Sequence, residues 1–134
     1  MEDKIEDIPK TMEKFFGCSG KMVKPSLVTV KTLLEKIPKG KIVTLDQLRG
    51  KIAQHFNVQT SCPAATVKML QVLSIEDKSV CYWRVVKKKG ELISKFPGGI
   101  ESHGALLKGE GLEIDSSKKN SKVKNHEAHL SDLM

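Results

Sequence analysis

A chain of 134 residues, 39% of them apolar, supports one domain with one modest core, and it holds no apolar run near the ~20 residues that a membrane span needs. The formal net charge of +7, from 23 basic and 16 acidic residues, favours polyanionic partners, because each lysine or arginine beside a phosphate releases a condensed counterion. Aromatic residues, at 4%, are too few for the stacking platforms of single-strand binders.

The N-terminus, Met1-Glu2-Asp3-Lys4, carries both charge signs and lacks the apolar stretch of a secretory signal. A short helix is expected over residues 9–16, with Pro9 in its first turn, Gly17 as its stop, and Ile8, Met12, Phe15 and Phe16 as an apolar face packed on the main domain. Residues 17–24 read as loop. Pro25 and Ser26 open a second helix, in which Leu27, Val30, Leu33, Leu34 and Ile37 recur at helical spacing. Pro38-Lys39-Gly40-Lys41 ends it, and Ile42-Val43 forms a short extended link. Thr44-Leu45-Asp46-Gln47 is a capping box, and behind it Leu45, Leu48, Ile52 and Phe56 share one side of a helix running to about His55.

After a turn at residues 57–59, a further helix starts near Pro63, capped by Ser61 or Cys62. Val67, Leu70 and Leu73 are expected to face the core, leaving Ala65, Thr66, Lys68 and Met69 outward or on the flank. Two helices joined by a short turn, the second presenting small and basic residues, make a helix-turn-helix pattern; an ordinary helical hairpin is the competing reading. A strand over residues 80–86, a turn at Lys87-Lys88-Lys89-Gly90 and a returning Glu91-Leu92-Ile93 would supply the hairpin of a winged helix. Its three lysines suit phosphate contact, though a solvated charged turn is equally ordinary. Phe96-Pro97-Gly98-Gly99 is a loop, and Ile100, Leu106, Leu107 and Leu112 mark a last helix ending near Gly111. Serine, lysine and asparagine dominate from Asp115 onward, which reads as a largely disordered basic tail.

The segment from Pro25 to Ile114, roughly two thirds of the chain, resembles the DNA-binding domain of the methylguanine-DNA methyltransferase (alkylguanine-DNA alkyltransferase) family. The resemblance runs through the 37–44 segment Ile-Pro-Lys-Gly-Lys-Ile-Val-Thr, then Arg84-Val85-Val86, Gly90, Phe96-Pro97-Gly98-Gly99, Leu106-Leu107 and Glu110-Gly111. It is greatest to the compact single-domain and alkyltransferase-like members that lack the catalytic cysteine. The implied fold is mostly α with a small β-hairpin, a winged helix-turn-helix at residues 25–114, with an N-terminal extension at 1–24 and the tail at 115–134.

The departures from the family are as informative. Its Pro-Cys-His-Arg-Val motif aligns with Cys81-Tyr82-Trp83-Arg84-Val85, so the nucleophile falls on Tyr82 and the activating histidine on Trp83. An indole offers no basic lone pair, and Glu110, matching the glutamate that orients that histidine, has nothing basic to orient. Without this relay a thiol stays mostly protonated at neutral pH, and a phenol more so. The tyrosine that crowds the flipped nucleotide aligns with Leu45, and the arginine finger aligns near Ala65. No arginine occurs between Arg49 and Arg84. Flipping therefore lacks its usual compensating finger; Lys68 or Met69 would be the substitutes.

The resemblance implies a DNA-binding protein connected to alkylation repair, non-catalytic, with alkylated guanine in duplex DNA as target and a downstream repair protein as further partner. Tyr82, Trp83, Arg84 and Glu110 are the expected pocket; Ser61, Ala65, Thr66, Lys68, Met69, Lys87, Lys88 and Lys89 are the expected DNA contacts. Two alternatives stand beside it. One is an active alkyl acceptor at Cys62, whose thiolate a helix N-terminus would favour, or at Cys81, which a strand would turn to the opposite face as a buried thiol. The other is a protein- or ligand-binding module on the same fold. No cofactor is expected, and no metal: the three cysteines and four histidines show no paired zinc-type spacing. An odd count of widely spaced cysteines suits reduced thiols in a cytoplasmic, nucleoid-associated or nuclear monomer.

Overall fold

The computed structural model describes residues 2–77, 79–116 and 120–131, without the side chain of Phe16. Its elements are β1 (Lys4–Asp7), α1 (Lys10–Phe16), β2 (Lys21–Lys24), α2 (Leu27–Leu34), β3 (Val43–Thr44), α3 (Leu45–Phe56), β4 (Thr60–Ser61), α4 (Pro63–Glu76), β5 (Val85–Val86), α5 (Gly99–Gly109), β6 (Ile114–Asp115) and β7 (Lys122–Val123). Turns of 3-10 helix occupy Tyr82–Arg84 and His126–His129. Among the described residues no helix is long and apolar enough to cross a membrane.

The N-terminal extension keeps its short helix, but two strands flank it in place of a loop. β1 pairs antiparallel with β2, and β2 continues parallel to β4, the strand that leads into α4. The 17–24 loop expectation failed because Met22 and Val23 pair with Glu6 and Ile5 on one side and with the remote Thr60 and Ser61 on the other. Helix α1 forms as expected, ending on Gly17 at φ 72°. Its proposed apolar face does not form: Ile8 is buried, but Met12 and Phe15 are exposed, and the Phe16 side chain lies outside the described residues. The extension is also tied down at Asp3, whose carboxylate accepts from the Ser26 amide at 2.7 Å and the Thr29 hydroxyl at 2.8 Å, at the start of α2.

The three central helices carry the main core. Val30, Leu33 and Leu34 of α2 meet Leu48 and Ile52 of α3 and Met69, Leu70 and Leu73 of α4. The capping box is present as read: Thr44 Oγ1 accepts from the Gln47 amide at 3.1 Å, and Gln47 Oε1 accepts from the Thr44 amide at 2.9 Å. Helix α3 closes on Asn57 in the left-handed region, φ 54°, a conformation asparagine tolerates better than most.

Residues 80–86 do not form one strand. The chain turns through Tyr82–Arg84 and only Val85–Val86 is extended, pairing in parallel with β3 instead of with residues 91–93. Two main-chain bonds, from Lys87 N–H to Glu91 O at 2.9 Å and from Gly90 N–H to Lys87 O at 2.8 Å, close the lysine turn. The returning segment pairs instead with the C-terminal region: Leu92 N–H reaches Ser121 O, Val123 N–H reaches Gly90 O, and Glu91 bridges to Lys122. Gly90, at φ 82°, has no room for a Cβ, which would fall 2.7 Å from the His126 side chain.

The C-terminal region is therefore folded over residues 120–131, contrary to the disorder read from its composition; residues 117–119 and 132–134 lie outside the described residues. Val123 is fully buried with Ile42, Val86, Leu92, Leu107 and Leu112 in a second apolar cluster, and Leu130 packs against it. Ile42 receives the segment on both sides, its N–H to His129 O at 2.9 Å and its carbonyl from Ser131 N–H at 2.8 Å. The Val123→Ala variant should lose about 2 kcal/mol, two buried carbons at about 0.8 kcal/mol each plus a cavity term. Chemical denaturation measures this, and an unchanged midpoint would mean that residues 120–131 do not belong to the core.

Candidate nucleic-acid interface

The α3–turn–α4 unit is held by a residue that the sequence reading passed over. Arg49 of α3 donates from Nε and Nη2 to the Ser61 carbonyl, at 3.2 and 3.1 Å, and from Nη2 to Thr60 Oγ1 at 3.1 Å. This fixes β4, and with it the first turn of α4, against α3. Cys62 sits at the N-cap with Pro63 following it, but its thiol caps nothing; its carbonyl accepts from Thr66 N–H at 3.0 Å and Thr66 Oγ1 at 2.8 Å.

That second bond turns Thr66 inward. Thr66, Met69, Leu70, Leu73 and Ser74 are the buried stripe of α4, whereas Val67 lies only half-buried at its edge. The helix is rotated from the expected phase because Val67, Val72 and Ile75 put apolar residues on nearly every side, leaving the periodicity ambiguous. Of the expected DNA contacts on this helix, Thr66 and Met69 are buried, as is Ser61 before it, whose Oγ has no hydrogen-bond partner. Lys68 is exposed and Ala65 half-exposed, with Ala64 exposed beside them. Lys87, Lys88 and Lys89 are all exposed at their turn.

The four expected pocket residues do come together, in a different arrangement. Tyr82 is 8% exposed and belongs to the main core. Its ring meets Trp83 edge-on with centroids 5.3 Å apart and Phe96 at 4.9 Å, and burial raises its phenol pKa. Glu110, read as having nothing basic to orient, holds Arg84. The guanidinium donates from Nη2 to Glu110 Oε2 at 2.6 Å and from Nε to both carboxylate oxygens at 3.0 and 3.1 Å, while Nη1 donates to the Ile37 carbonyl at 2.6 Å. The two side chains are 12% and 8% exposed. Burial works to raise the Glu110 pKa, but the Arg84 hydrogen bonds, the guanidinium charge and the nearby Trp83 indole and Gly40 amide hold it below the usual carboxylate value. The Trp83 Nε1 lies buried near this carboxylate but outside hydrogen-bonding geometry.

A second unread residue organises the other side. His103 of α5 is fully buried; its Nδ1 accepts from Ile93 N–H at 3.0 Å, which leaves Nε2–H to donate to the Trp83 carbonyl at 2.8 Å. Burial pushes its pKa down to about 4, against the Trp83 hydrogen bond, from an ordinary 6.5. The loop before α5 turns on Gly98 and Gly99, at φ 79° and 68°, a consecutive left-handed pair that glycine adopts without strain. It seats Phe96 between Tyr82 and His103, the latter ring at 5.0 Å.

Cys81 is half-buried rather than turned into the core. It lines a cavity of about 370 Å³ with Lys31, Leu34, Val80 and Arg84. Among the described residues no group of three or more histidine, cysteine or acidic side chains is placed to hold a metal ion.

Two outcomes follow from this geometry. Glu110→Gln leaves a buried guanidinium without its counter-charge and should destabilise the domain by about 3 kcal/mol or more, read by denaturant unfolding; a change under about 1 kcal/mol would contradict a structural ion pair. His103 should stay neutral in an NMR titration down to about pH 4. The unfolded chain takes up the proton first, so stability fully present above about pH 6.5 should fall by about 1.4 kcal/mol per unit as pH drops from about 6.5 to about 4. A His103 midpoint near 6.5 would contradict the buried, doubly bonded ring.

No protein-family model and no curated protein matches the chain. Two solved structures do, both of an alkyltransferase-like protein of S. pombe. One is Atl1 in complex with damaged DNA containing O6-carboxymethylguanine, 18% identical with a TM-score of 0.58; the other is S. pombe ATL in complex with DNA, 18% identical with a TM-score of 0.59. Each match covers 78% of this chain and 93% of the other. The fold of this chain is that of the alkyltransferase-like proteins.

Proposed function

We propose that this chain is a DNA-binding protein of alkylation repair that recognises an alkylated guanine in duplex DNA without removing the alkyl group. The observation that carries the reading is the fold shared, over 93% of its length, with Atl1, a protein seen bound to DNA that contains O6-carboxymethylguanine. In this reading α3 and α4 act as a helix-turn-helix, the edge of α4 formed by the exposed Ala64 and Lys68 and the half-exposed Ala65 approaches the duplex, and the small side chains allow close backbone contact. Lys87, Lys88 and Lys89 act as a wing on the phosphates. The protein works as a monomer where DNA is held, in the nucleoid or the nucleus, and passes the lesion to a downstream repair protein.

Three features support a non-catalytic role. Tyr82 stands at the nucleophile's place in the family motif, and burial raises its pKa, which disfavours the phenolate. Both ring nitrogens of His103 are engaged by main-chain groups, so the histidine nearest this aromatic cluster is not free to take a proton from a nucleophile. Glu110 is committed to Arg84.

Fluorescence anisotropy on one duplex, with and without a single O6-methylguanine, across a salt series, tests the reading. Tighter binding to the lesion is expected, and absence of salt-dependent binding would contradict it. Replacing Lys87, Lys88 and Lys89 by alanine should make the salt slope shallower by up to about 0.9 per lysine. Mass spectrometry after incubation with the lesion duplex should find no adduct, whereas an alkyl mass on Cys62 or Cys81 would make the chain an acceptor.

A further inference from the structure

The N-terminal ribbon does more than extend a sheet: with α4 it encloses a groove of about 420 Å³ beside the exposed edge of that helix. Ala64, Ala65 and Met69 form its apolar side, and Lys4 of β1, Lys24 of β2 and Lys68 of α4 line it, with Glu2 also present. We propose that this groove is a second track for the DNA backbone, in which Lys4, Lys24 and Lys68 hold phosphates of the strand flanking α4. The inference rests on the DNA-binding reading above and names a surface of the same site.

Charge and shape favour a sugar-phosphate strand. Three lysines from three separate elements converge on one groove, and small side chains let deoxyribose approach the helix closely. The ribbon is held in place, since β2 pairs with β4 and Asp3 bonds to the start of α2. Lys4 and Lys24 keep their ammonium groups accessible, with side chains 70% and 44% exposed. In the unbound protein both are engaged by one carboxylate: Glu6 Oε1 meets Lys4 Nζ at 3.1 Å, and Oε2 meets Lys24 Nζ at 3.3 Å. A phosphate entering the groove competes with Glu6 for the same two cations. Glu6 therefore weakens the track, and its removal and the removal of the lysines act in opposite directions.

Two variants of the full chain, Lys4→Gln/Lys24→Gln and Glu6→Gln, are titrated with the same duplex across a salt series, beside a Lys10→Gln/Lys14→Gln control on α1 and a thermal-unfolding check. The Lys4/Lys24 variant should bind several-fold more weakly with a salt slope shallower by about 1.8, two phosphates at about 0.9 each. Glu6→Gln should bind more tightly, and the α1 control should keep the wild-type slope. On the wild-type protein, DNA should protect Lys4 and Lys24 from acetylation and leave Lys10 and Lys14 reactive. A wild-type slope in the Lys4/Lys24 variant, no tighter binding by Glu6→Gln, an equal loss in the α1 control, or unprotected Lys4 and Lys24 would overturn this inference while leaving DNA binding intact. A wild-type protein without salt-dependent affinity would instead overturn the reading on which it rests.

Discussion

The Arg84 guanidinium directs its donors to two distant parts of the chain at once. It reaches the Glu110 carboxylate where α5 ends and the Ile37 carbonyl just past the end of α2. Both side chains are largely buried, so the pair is isolated from the solvent screening that makes surface ion pairs nearly neutral. The turn after Val80, the end of α2 and the end of α5 meet at that clamp. The turn at Tyr82–Arg84 aims the arginine inward, Val85–Val86 then pairs with β3, and α5 is oriented so that Glu110, just past its end, meets the charge and His103 meets the Trp83 carbonyl. The region is a structural junction: the rings of Tyr82, Trp83 and Phe96 pack together, and Glu110 holds Arg84.

What could be read from sequence was whatever is encoded within a few residues. The Thr44–Gln47 capping box, the helical spacing of Val30, Leu33 and Leu34, Pro63 at the start of α4 and the Gly98–Gly99 turn are local chemistry, and each is where it was expected, whereas α2 ends before Ile37. Pairings between distant segments were not legible. Val123 and Leu130 are isolated apolar residues in a polar stretch, and Ile42, Val86, Leu92, Leu107 and Leu112, from remote parts of the chain, bury Val123 and receive Leu130. The Met22–Val23 strand pairs on one side with Ile5–Glu6 and on the other with the remote Thr60–Ser61. The phase of α4 was misread for a different reason: apolar residues on nearly every side leave the inward stripe undefined until Thr66 bonds back to Cys62.

The candidate site divides along the same line. Tyr82, Trp83, Arg84 and Glu110 were identified through family resemblance, and they do meet, but the pairing of Arg84 with Glu110 and the role of His103 depend on side-chain directions that spacing does not contain. On the proposed interface, burial removes Ser61, Thr66 and Met69 and leaves Ala64, Ala65, Lys68 and the lysine turn. Arg49, which locks β4 to α3, is the residue that lets this short edge act as a rigid surface.

The central claim is that α4 and the lysine turn together face a duplex. NMR chemical-shift mapping of the ¹⁵N-labelled protein with a short lesion-bearing duplex tests it most directly. The account predicts shifts concentrated at residues 62–69 and 87–90, small at the exposed face of α1. Shifts confined to α1 or to residues 122–128, or none at all at saturating DNA, would contradict it.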